Sequence, residues 1–124
     1  MSRTFKTRWF QKKAKKIGIS DADLCKAADQ ARKGQAEDLG GGVFKKRLHD
    51  NEYRSILLAK GGKYWIFTFI FPKQDKKNLE EDEVEDFRKL AKSYEKVDEK
   101  QLATLLNEKD LVEICCESKD KIQK

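Results

Sequence analysis

The segment YWIFTFIF, residues 64–71, is apolar at every position but one. A strand with one wet face alternates apolar and polar residues. This one is apolar on both parities, which predicts a strand covered on both faces. Two glycines, Gly61 and Gly62, precede it and suit a two-residue hairpin turn. Residues 43–48 and 53–60 read as two further strands, joined by the turn HDNE at 49–52. The expected centre is therefore a three-stranded meander.

Helical patterns flank it. In RWFQKKAKKIG, Phe10, Ala14 and Ile17 recur at i, i+4 and i+7, and Gly18 ends the run. Ser20 with Asp23 resembles a capping box for a second helix, closed by Gly34. Its stripe of Leu24, Ala27, Ala28 and Ala31 is narrow. The break between the two helices is short enough for an αα-hairpin. Residues 80–96 predict a third helix, capped by Asn78, with Glu80 to Glu83 suiting its dipole. Asp98 opens a fourth. RTFKT at 3–7 and LVEIC at 111–115 read as short strands. The class is α+β. With no repeat, no linker and a single proline, residues 1–124 are expected to form one domain, with 116–124 frayed.

The charged fraction is 40%, and no apolar run approaches membrane-spanning length, so a soluble cytoplasmic protein without membrane attachment is expected. Residues 1–77 hold 19 Lys/Arg against 8 Asp/Glu, whereas residues 78–124 hold 9 against 14. A basic body of this kind points to a polyanion site. Cys25, Cys115 and Cys116 show no ligand spacing, and an odd count is a poor disulfide framework, so reduced thiols are expected. A single histidine, His49, rules out a His-rich metal site. KKAKK at 12–16 reads as the wet side of the first helix, with a grip on ribosomal RNA backbone as the alternative. Trp9 and Trp65 read as packing residues.

Strand register sharpens the polyanion reading. With HDNE as the turn, Leu48 faces Tyr53, Arg47 faces Arg54 and Lys45 faces Ile56. Through Gly61–Gly62, Arg54 is expected opposite Phe69 and Ile56 opposite Phe67. One sheet face then carries Lys45, Arg47, Arg54, Phe67, Phe69 and Phe71, and Lys73 shares its parity. The other face carries Phe44, Leu48, Tyr53, Leu57, Ile66 and Ile70, with Lys46 as the misfit, at an edge. Like charges directly opposed on a sheet are destabilising. An anion held between two guanidiniums reverses that sign, and nearby rings offer platforms for bases.

The ordered motifs LGGGVFKKRL, YRSILLAKGG and YWIFTFIFPKQD resemble the RelE/ParE superfamily of bacterial toxins, in particular a RelE-like, HigB-like branch. The resemblance covers most of residues 3–115. It implies an N-terminal helical hairpin packed on a small twisted antiparallel sheet, with C-terminal helices. It implies an mRNA endoribonuclease, often working in the ribosomal A site, and an antitoxin partner, commonly a helix-turn-helix protein. Lys45, Arg47, Arg54 and Lys73 match the family's catalytic cations. They would bind the scissile phosphate, lower the pKa of the 2′-hydroxyl and stabilise transition-state charge, leaving a 2′,3′-cyclic phosphate. Lys46, Phe69, Phe71, Lys76 and Lys77 are the candidate RNA contacts. No metal or cofactor is expected. Gln74 stands where some relatives carry arginine, and no tyrosine or histidine lies between 74 and 93 to serve as acid or base. A lysine whose pKa is depressed by neighbouring cations is one candidate base, and His49 in the turn is another. A gyrase inhibitor of the same fold and a plain RNA-binding module are the alternatives.

Overall fold

A computed structural model of the chain describes residues 3–60, 63–75 and 79–115. The chain runs β1 (Arg3–Thr7), α1 (Arg8–Ile17), α2 (Asp21–Arg32), β2 (Glu37–Gly40), β3 (Val43–Leu48), β4 (Tyr53–Lys60) and β5 (Tyr64–Pro72). It continues through α3 (Glu81–Glu95), α4 (Glu99–Asn107) and β6 (Leu111–Ile114). The strands form one six-stranded sheet in the order β2-β3-β4-β5-β1-β6.

The sheet is mixed rather than antiparallel, which corrects the expectation. β1 runs parallel to β5, pairing Arg3 with Tyr64 through Lys6 with Phe67, while β6 closes antiparallel on β1. Parallel neighbours need a long crossover, and here the intervening chain is two helices and the whole meander. β2 is an addition that the sequence does not announce. Its residues EDLG are mostly exposed and show no apolar alternation.

Local signals explain the helix ends. The Thr7 hydroxyl accepts from the Phe10 N–H, and Gly18 ends α1 at φ 98°. The Ser20 hydroxyl accepts from the Asp23 N–H at the start of α2, and Gln101 and Asp98 cap α4 reciprocally. The cap of α3 is Glu80, whose N–H donates to the Glu83 carboxylate; the expected cap, Asn78, lies outside the described residues.

Both faces of the sheet are covered, as YWIFTFIF demanded. On one face α1 and α2 bury Phe10, Ala14, Leu24 and Ala28 against Leu57, Trp65, Phe67 and Ile70. On the other, α3 and α4 bury Ala91 and Leu102 with Phe5, Ile56, Leu58, Ile66 and Phe71. The sheet is therefore the central layer, not the open floor of a two-layer fold. One register call changes with it. Arg54 lies opposite Phe71 and Ile56 opposite Phe69, and a bulge between Ile56 and Leu57 leaves Thr68 unmatched. The extra residue flips parity, so Phe67 and Trp65 face α1 while Ile66 faces the α3 side.

The cysteine expectation is also overturned. Cys25 of α2 and Cys115 past β6 form a disulfide across a sequence separation of 90, with Cα atoms 5.5 Å apart. Both cysteine side chains pack against the α1–α2 core cluster, so tertiary packing joins what no sequence spacing pairs. Among the described residues, no helix is long and apolar enough to cross a membrane.

The glycine run before β3 is a wrapped turn. Arg88 of α3 donates to the carbonyls of Leu39 and Gly40 across it. A Cβ at Gly41 (φ 66°) would lie 2.8 Å from Arg88 Cγ, whereas one at Gly18 meets nothing within 4 Å. Both positions are left-handed. Gly18→Ala should therefore cost about 1–2 kcal/mol from backbone conformation alone, and Gly41→Ala distinctly more. Urea denaturation of the two variants measures the difference; equal losses would show that Arg88 gives way freely.

Candidate functional site

The β3–β4 pairing matches the expected register: Lys45 opposes Ile56, Lys46 opposes Ser55, Arg47 opposes Arg54 and Leu48 opposes Tyr53. Its turn holds His49, Asp50 and Asn51 in succession at φ 54°, 56° and 71°. Asp and Asn tolerate this left-handed backbone better than most residues. The end of β5 is tied to the same turn, because the Lys73 N–H donates to the Glu52 carbonyl at 2.9 Å. Lys73 is thus delivered beside Arg54.

The result is a cleft of about 570 Å³ lined by Gln35, Ala36, Glu37, Lys45, Lys46, Arg47, Arg54 and Lys73. All four cations expected to be catalytic meet there. So does Lys46, whose parity pointed away. β2 pairs with β3 no further than Glu37 opposite Lys45, so the β3 edge beyond it is uncovered and Lys46 enters from that edge. Among the described residues, the only carboxylate on the lining belongs to Glu37, 3.1 Å from the Lys45 ammonium. Among the described residues, no carboxylate lies within ion-pair distance of Lys46, Arg47, Arg54 or Lys73. The C-terminal acids among the described residues do not line the cleft. The Arg54 guanidinium is held by the carbonyls of Asn51 (3.0 Å) and Tyr53 (3.3 Å), which fixes its aim without cancelling its charge.

Burial pushes the Lys46 ammonium below its ordinary pKa, and the adjacent Arg47 charge adds to the push. A lysine held this way is in its neutral, proton-accepting form more of the time than one in water.

The aromatic candidates fare less well. Phe71 is only 5% exposed and belongs to the core under α3, so it is no open platform. Phe67 is fully buried against Phe10 on the far side of the sheet. Phe69 is half-buried and stacked by Trp9, with ring centroids 5.1 Å apart. Trp9 itself is 46% exposed, against the packing role expected of it. Trp65 is buried, as expected. Lys76 and Lys77 lie outside the described residues. His49 lies in a neighbouring cleft with Asp23, Lys26 and Arg47 rather than among the lysines. Tyr94 is a half-buried core residue whose hydroxyl is pushed up in pKa by burial, so it is no general base. Glu37 and Gln35 were missed because β2 carries no strand signal.

Arg47 is exposed, opposes a like charge and has no ion pair among the described residues. Arg47→Thr should therefore raise stability at low salt, by a few tenths to about 1 kcal/mol. The gain should shrink in about 1 M salt, where charges are screened within about 3 Å. Urea curves at two salt concentrations test this, and a variant less stable at low salt would reveal an attractive partner for Arg47.

Neither a curated protein nor a solved structure matches the chain. The family model for the RelE toxin of the RelE / RelB toxin-antitoxin system matches residues 2–114, nearly the whole length. The chain belongs to the RelE toxin family: it is the toxin of a toxin–antitoxin pair, and its cognate partner is an antitoxin.

Proposed function

We propose that this toxin is an mRNA endoribonuclease of the HigB-like branch, acting in the cytoplasm on messages in the ribosome and restrained by a helix-turn-helix antitoxin. The observation that carries the reading is the cleft in which, among the described residues, five cations converge on one lining with a single carboxylate. Such a lining costs stability unless an anion occupies it, and a phosphodiester is an anion that bidentate guanidiniums fit.

The chemistry needs only what the cleft holds. Arg47 and Arg54 clamp the non-bridging phosphate oxygens and oppose the negative charge that grows on them. Lys45, braced by Glu37, orients the same phosphate. Lys46 accepts the proton of the 2′-hydroxyl as its oxygen bonds to phosphorus. The bond from phosphorus to the 5′-oxygen breaks, and the Lys73 ammonium supplies the proton to that leaving oxygen. The products are a 2′,3′-cyclic phosphate and a 5′-hydroxyl.

The sign of the pH dependence follows. Lys46 works only when neutral, so the rate rises with pH and levels off above its depressed pKa. Lys46→Arg, permanently charged, should remove that rise and lower the rate about 10²- to 10⁴-fold. Arg54→Ala should cost about 10²- to 10³-fold. Single-turnover cleavage of an mRNA, with and without ribosomes across a pH series, is the measurement. Intact transcripts in expressing cells, accompanied by DNA breaks, would instead assign the toxin a topoisomerase target.

A further inference from the structure

Trp9 has no duty in the cleft, yet it is a large aromatic with nearly half its surface in water. One face of the indole is taken by Phe69, at an interplanar angle of 23°. The water-facing part is therefore the opposite face and the edge. Phe69 continues the row inward to Phe71 at 5.8 Å, and Phe71 lies opposite Arg54. The rings thus run from the cationic cleft to the surface. They follow the part of β5 beyond Phe67, where the β1 pairing has stopped. From Lys73 back to Phe69 is four residues of strand, about 13 Å.

Cations line the same side of α1. Lys12, Lys13 and Lys16 stand three, four and seven residues after Trp9, so they share its face of the helix. All three are exposed, and none has an ion pair among the described residues. The helix RWFQKKAKKI contains no acidic residue. An exposed indole beside unpaired lysines matches the chemistry of a single-stranded polynucleotide, with a π face for a base and charges for the phosphates around it.

We propose that Trp9 is a nucleobase platform, and that Lys12, Lys13 and Lys16 hold the backbone of the same single RNA strand whose linkage enters the cleft. This rests on the RNA-cleavage reading and extends it: the substrate is gripped at two places, and stretches of RNA too short to reach α1 are poor substrates.

The test uses a single-stranded oligonucleotide with 2′-O-methyl riboses, which cannot be cleaved. The chain has two tryptophans, so Trp65→Phe leaves Trp9 as the sole indole reporter. Titration should quench its fluorescence, and Trp9→Ala should weaken binding about 5- to 150-fold while Trp9→Phe retains most of it. Changing the three lysines to glutamine should lower the salt slope of binding by about 2. Should Trp65→Phe fail to fold, the parent protein with oligonucleotides carrying one abasic site at successive positions gives the same answer. A position-dependent affinity loss that vanishes in Trp9→Ala supports the platform. Tight binding with no quench and no effect of Trp9→Ala overturns it and leaves the cleavage reading standing. An oligonucleotide that binds neither free protein nor protein mixed with ribosomes overturns the platform, while the single-turnover cleavage assay decides the cleavage reading separately; quenching by an acidic peptide alone assigns the surface to a protein partner instead.

Discussion

The pairing of β3 with β4 is the constraint from which the rest of the molecule follows. It carries an unfavourable contact, Arg47 opposite Arg54, and survives it for a reason that magnitudes make plain. Opposed like charges cost a few tenths to about 1 kcal/mol. The same two strands bury Val43, Leu48, Ile56, Leu57 and Leu58 almost completely, each contributing about 1.5–3 kcal/mol. A slip of one residue would turn those side chains toward the wrong layer and drive lysines into the core. Hydrophobic pattern therefore locks the register, and the arginines are carried into opposition with it.

The remaining elements hold that hairpin rigid from outside. Arg3 pairs with Glu113 through two hydrogen bonds of 2.8 Å and lies over the rings of Phe5 and Tyr64, joining β1, β5 and β6. These contacts raise the Arg3 pKa further, first through the Glu113 hydrogen bonds, so the clamp stays charged at any working pH. The Lys6 ammonium, nearly buried, reaches Asp21 at 2.6 Å and fastens β1 to the start of α2. The Cys25–Cys115 disulfide ties α2 to the end of β6. Closing a loop of that length removes about 4–5 kcal/mol of unfolded-chain entropy in the chain-entropy picture. None of these restraints touches the cleft. They fix β1, β6 and α2 around β5, the strand that pairs with β4, so the cleft's cations are not needed for the scaffold.

Much of this was legible in the residues, and the gaps have definite physical origins. The β3–β4 register could be read because HDNE supplies the turn and Phe44, Leu48, Tyr53 and Leu57 alternate cleanly. Lys45, Arg47 and Arg54 fell together for the same reason, and the Lys73 N–H bond to the Glu52 carbonyl brings the fourth candidate to them. The β4–β5 register could not be read. YWIFTFIF is apolar on both parities, so its pattern does not resist the bulge that leaves Thr68 unmatched and exchanges the faces of Ile66 and Phe67. EDLG hides β2 because an exposed edge strand needs no apolar residues. The partner of β1 and the Cys25–Cys115 link are both long-range, set by what the helices leave room for. Trp9 does stack on Phe69, but α1 turns it outward and leaves it 46% exposed, which its sequence neighbours do not signal.

The charge asymmetry of the chain acquires its meaning from where the acids go. Glu81 and Glu85 hold Arg88 beneath the glycine turn, Asp110 holds Arg8, and Glu113 holds Arg3. Each of these cations belongs to the scaffold. These four acids are thus paired with structural arginines, while among the described residues Glu37 is the one carboxylate lining the cleft. Had the acids been placed at random, charges within about 10 Å at ordinary ionic strength would have softened the cleft's potential. Held in ion pairs with those arginines, these acids leave the cleft a net positive lining, the kind of field that steers a polyanion.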